Sequence, residues 1–125
     1  YKRLMKCYFP TSTVVIKREV FEEFRFNEEQ KYAEDTLLFL EILRKYPGGK
    51  IESPLANYYK LEYGAGGLSS RLKEVEMWEL KNFKTLREEN KFNNKKINFV
   101  FYIFLICFSY LKYIRRIVIV KIRST

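Results

Sequence analysis

Histidine is absent from this 125-residue chain. That removes Ser-His-Asp and Cys-His activation of a nucleophile, histidine ligation of a metal, and a histidine proton shuttle. Acid–base work is left to carboxylates, Lys and Tyr. Aspartate is almost absent too, with Asp35 the single example beside fourteen Glu. Cysteine occurs twice, at Cys7 and Cys107, in neither zinc-ligand nor redox spacing, which reads as two buried free thiols in a reducing cytoplasm. No basic-apolar-small leader opens the chain, and the start at Tyr1 reads as a piece of a longer polypeptide. What is abundant is apolar and aromatic: 47% and 18% of residues, too much for disorder and enough for one small domain or part of a larger one.

The net charge of +9 belongs to one segment. Residues 91–125 hold eight Lys/Arg and no acid, whereas residues 1–90 carry sixteen basic and fifteen acidic groups. Any explanation of the charge therefore concerns the tail.

Thr11 to Lys17 reads as a strand, because Val14, Val15 and Ile16 follow two Thr around a Ser. Arg18 to Phe24 reads as one or two helical turns with Val20, Phe21 and Phe24 on one side. Glu34 to Tyr46 predicts a helix buried over most of its circumference, with Glu41 and Lys45 as an i,i+4 pair and Pro47-Gly48-Gly49 as its stop. Ile51 to Tyr59 reads as extended, interrupted by Pro54, and a Gly-rich loop follows at 64–67. A long helix is expected from about Arg71 to Asn90, capped by Ser70, with Leu72, Val75, Trp78, Phe83 and Leu86 as its apolar stripe.

Glu34 and Asp35 open the helix of residues 34–46, where carboxylates complement the helix dipole. A helix cap is one role for such a pair; a general base held on a rigid element is another. The surrounding order is a Thr/Ser-led strand, Arg18-Glu19-Val20-Phe21, Arg25-Phe26-Asn27-Glu28, Ala33-Glu34-Asp35 and an aliphatic helix, then Leu55-Ala56-Asn57-Tyr58-Tyr59-Lys60 and Gly67-Leu68-Ser69. This order, over about residues 9–70, resembles the acceptor side of a family 2 glycosyltransferase. The resemblance implies an α/β chain, the C-terminal part of a GT-A (nucleotide-diphospho-sugar transferase) fold followed by a helical extension. It implies an inverting transfer of sugar from a nucleotide-sugar donor to a glycan or lipid-linked acceptor, in bacterial cell-surface polysaccharide synthesis such as lipopolysaccharide or capsule. Asp35 would be the base that deprotonates the acceptor hydroxyl, with Glu34 orienting the acceptor or the helix start. Ser69, Ser70, Arg71 and Tyr59 would be candidates for substrate contact. Against these, a plain surface turn accounts for the glycines, and strand packing for Tyr58 and Tyr59.

The chain departs from the family pattern in several places. One Asp cannot make an Asp-x-Asp motif, so this chain supplies no metal ligand set. The Mg²⁺ or Mn²⁺ implied for a full enzyme would sit in the donor-binding N-terminal half, without which the fragment would be inactive. Asn27 stands where the family often has Asp, and Lys60 where Arg is common.

Ile97 to Leu111 is fifteen residues without a charge, flanked by Lys95 and Lys96 and then by Lys112, Arg115, Arg116, Lys121 and Arg123. At 1.5 Å per residue it reaches only about 22 Å, short of a hydrocarbon core of about 30 Å. Such a segment reads as a peripheral anchor on an anionic cytoplasmic leaflet, with a core helix or a full span as alternatives. Nucleic acid is not the expected partner, because the charge flanks an unbroken apolar run. The expected organisation is thus an acceptor-side catalytic half at 1–70, an amphipathic helix packed on it at 71–92, and a membrane-associating segment at 93–125. A non-catalytic membrane-surface or protein-interaction module is the rival expectation.

Overall fold

Leu37, Leu38, Phe39 and Leu40 are consecutive and all buried, so the helix that carries them must be covered on every side. The computed structural model describes residues 2–5, 9–57, 59, 70–88 and 97–124. Their elements are α1 (Lys2–Met5), a single 3₁₀ turn (Thr11–Thr13), α2 (Arg18–Glu23), α3 (Glu34–Lys45), α4 (Leu72–Glu88) and α5 (Phe99–Ser124).

Two apolar clusters divide the circumference of α3 between them. Leu38 and Phe39 pack with Val20 and Phe24, joined by Phe9, Val14, Ile16 and Tyr46. Leu37 and Leu40 pack with Phe83 and Leu86 of α4 and with Ile97 and Leu105. Arg44 adds a polar tie, donating to the Leu86 carbonyl at 2.8 Å near the α4 C-terminus, where carbonyls lack helical partners.

The expected α/β architecture is overturned: the described residues form helices, with no strand and no sheet among them. The run from Thr11 to Lys17 shows the reason. Its β-branched residues do favour extended backbone, and Val14 adopts φ −94°, ψ 132°. Its side chains even alternate, with Val14 and Ile16 turned to the core and Val15 96% exposed. A strand also needs a neighbour to complete its hydrogen-bond ladder, and no described segment pairs with this one. Its first three residues turn instead, with the Thr13 N–H donating to the Pro10 carbonyl at 2.8 Å.

The helices stand close to expectation. Residues 34–46 form α3 up to Lys45, and α4 occupies most of the 71–90 stretch. Lys45 does not follow the expected pairing, since it bonds Glu23 of α2. Tyr46 donates to the same carboxylate at 2.9 Å. Glu23 is held below the ordinary carboxylate range by its hydrogen bonds from Lys45 and Tyr46. Cys107 is exposed on α5 and not buried as expected, while Cys7 lies outside the described residues.

Candidate functional site

The approach to Asp35 is built by side-chain hydrogen bonds because the backbone there is irregular. Asn27 starts a turn: its side chain accepts the Glu29 N–H at 3.1 Å and its carbonyl accepts the Gln30 N–H at 3.1 Å. Gln30 is then buried, and its amide donates to the Tyr32 carbonyl at 2.9 Å and to Asn82 Oδ1 at 2.8 Å. Asn82, from α4, donates onward to the Ala33 carbonyl at 2.9 Å. That carbonyl also receives the Leu37 N–H at 3.2 Å, an early backbone bond of α3. Ala33 itself has φ 54°, a left-handed conformation that a side chain with a Cβ adopts at a cost of about 1–2 kcal/mol. The Gln30–Asn82 pair holds the chain in this bend immediately before the two carboxylates.

Asp35 sits in the first turn of α3, partly exposed just before the buried run Leu37–Leu40. Its Oδ1 accepts the Thr36 N–H at 2.6 Å and the Thr36 hydroxyl at 3.3 Å. Its Oδ2 accepts a hydroxyl from Thr11, twenty-four residues earlier in the chain. Glu34 is partly buried beside it. One oxygen of Asp35 is thus fixed by its own helix and the other faces a hydroxyl from outside it.

The other expected contact residues are scattered. Ser70 and Arg71 immediately precede α4, and Arg71 lies 4.0 Å from Glu74. Tyr59 is 92% exposed, and Ser69 lies outside the described residues. Of the expected site residues that are described, only Glu34 and Asp35 lie together. A shallow depression on α2 is walled by Arg18, Phe21, Glu22 and Arg25, none of which belongs to this constellation. Among the described residues no group of three or more acids or thiols could hold a metal ion.

Two features were missed by the sequence reading. Thr11 lies in the segment whose pattern reads as a strand, and only the fold shows that it reaches Asp35. The second is the polar seam between α4 and α5. Glu79 accepts from Arg116 at 2.9 Å, from Ser109 at 3.2 Å and from Lys112 at 3.4 Å. Glu76 is buried 3.7 Å from the same guanidinium, and among the described residues neither of its oxygens has a hydrogen-bond partner. Burial pushes the Glu76 carboxyl above its ordinary value and the neighbouring Glu79 charge adds to it, outweighing the pull of Arg116 and Lys112. For Glu79 burial also raises, but Lys112 and Arg116 outweigh it and the carboxyl titrates low. The available signal was a matched spacing: Glu76 and Glu79 lie three apart on α4, and Ser109, Lys112 and Arg116 follow three and four apart on α5.

Compared with known proteins, the chain matches no family model, no curated protein and no solved structure.

Proposed function

We propose that the chain carries the acceptor-side chemistry of an inverting glycosyltransferase, with Asp35 as general base. The observation that supports this best is the Thr11 hydroxyl on Asp35 Oδ2. It is the contact an acceptor hydroxyl would have to make, on an oxygen that α3 does not use. The proposal rests on that carboxylate and on the order of motifs around it, and not on the overturned α/β architecture.

In the proposed step Asp35 Oδ2 takes the proton as the acceptor oxygen attacks the anomeric carbon of a nucleotide sugar. The bond to the diphosphate breaks on the opposite face, and the leaving nucleoside diphosphate keeps the electron pair. Configuration therefore inverts. A positioned base contributes about 10²–10⁴-fold, roughly 3–5 kcal/mol of barrier. Glu34 orients the acceptor or the helix start, because adjacent residues on a helix diverge too far to share one proton. A donor-binding part beyond these residues would supply the nucleotide site and hold Mg²⁺ or Mn²⁺, which would neutralise charge on the diphosphate.

The test is sugar transfer by the full-length protein with a panel of nucleotide sugars. Asp35→Asn is expected to lower turnover by at least about a hundredfold with donor affinity unchanged. Unchanged turnover would reduce Asp35 to a helix cap.

A further inference from the structure

The charges that interrupt the apolar tail in sequence do not interrupt its outer surface. Of the five cations after Leu111, Lys112 and Arg116 turn inward to Glu79 and Glu76 of α4, and their side chains are only 27% and 14% exposed. Ser109, on the same inner face, is fully buried. The opposite face carries Val100, Ile103, Cys107, Leu111, Ile114 and Val118, three or four residues apart. All six are exposed, with Ile103 the most covered of the aliphatic five at 44% and Val100 the least at 78%. This stripe holds no charge over five turns, about 27 Å of helix.

Cations remain at its margin and its end, where Arg115, Lys121 and Arg123 are exposed. Residues 91–125 contain no acid. A second copy laid on this face would bring like charge to like charge. An anionic lipid surface offers both matching chemistries, acyl chains for the stripe and phosphates for the cations. Spanning does not fit: no described helix is long and apolar enough to cross a membrane, and the inner face of α5 is committed to α4.

We infer that α5 lies in the plane of an anionic bilayer surface, with the Val100–Val118 stripe facing the acyl chains and α4 covering the other side. This binding surface is independent of the role assigned to Asp35.

The probe is a set of vesicles, one of phosphatidylcholine alone and one an equimolar mixture of phosphatidylcholine and phosphatidylglycerol. The full-length protein, in a Cys7→Ser background, carries an environment-sensitive dye on Cys107, which lies in the stripe. The expected result is co-sedimentation with the mixed vesicles, a blue shift of the dye, and much weaker binding to the neutral ones. Ile114→Glu is expected to lower that affinity at least ~10-fold with unchanged helical circular dichroism, since the side chain is mostly exposed. Arg115→Gln should lower it about fivefold. Failure of the wild type to bind mixed vesicles, or equal binding by Ile114→Glu, overturns the inference. So does a dimer in the ultracentrifuge that Ile114→Glu dissociates, since the stripe would then belong to a second copy.

Discussion

α3 and α5 are the two most apolar helices of the molecule, and they are treated in opposite ways. The twelve residues of α3 are covered from two sides, so that four consecutive apolar side chains disappear from solvent. The twenty-six residues of α5 are held along one face, chiefly by α4, and their other face stays open. The difference shows that hydrophobic content alone does not say whether a helix is core. The distribution of neighbours around the helix does, and a helix packed along one face only has a surface to offer.

The polar groups follow the same division. At α3 they gather at its start, where Asp35 meets Thr11 and the Gln30–Asn82 pair shapes the approach. At α5 they line the covered face, where Glu79 receives Ser109, Lys112 and Arg116. Aromatic contacts reinforce that seam: Arg87 of α4 lies over the rings of Phe99 and Tyr102 at 5.1 and 4.9 Å.

The strongest way to break the contrast is to remove the charge that seats α5. Glu79→Ala leaves two inward cations without their main partner and should cost about 3–5 kcal/mol of unfolding free energy, read by urea denaturation. The two carboxylates should also respond oppositely to pH. Glu79 titrates low in the folded protein, so its contribution is present above the unfolded value of about 4.3 and is lost as pH falls through the lower folded one. Glu76 titrates high, so its contribution is present below that unfolded value and is lost as pH rises through the folded one. Glu76→Gln should therefore cost less at neutral pH than Glu79→Gln, and only Glu79→Gln should flatten the acid limb of a stability–pH curve.

A comparable loss is expected in the core of α3. Leu38→Ala, at 1% exposure, should cost about 2–5 kcal/mol. Asn82→Ala leaves the buried Gln30 amide short of a partner and should cost about 1–3 kcal/mol. Ile114→Ala, on the open face of α5, should change stability by no more than about 0.5 kcal/mol. A large effect from that last substitution would mean the face is already covered within the chain.

Helices α2, α3 and α4 were legible in the sequence because their information is local. Pro47-Gly48-Gly49 ends α3, and the apolar period of residues 72–86 marks α4. The strand reading of Thr11–Lys17 went wrong because propensity is local but pairing is not. The Glu34-Asp35 position at a helix start was equally legible. Its contact with Thr11 was hidden by twenty-four residues of intervening chain. On α5, each cation looked like an interruption of the apolar run until its partner on α4 was known.

The most direct test of the account is to measure turnover and unfolding free energy together for Asp35→Asn in the full-length protein. A base predicts a turnover loss of at least about a hundredfold beside a stability loss of no more than about 2 kcal/mol. Full turnover with the same small loss of stability would contradict the account and leave Asp35 as the cap of α3.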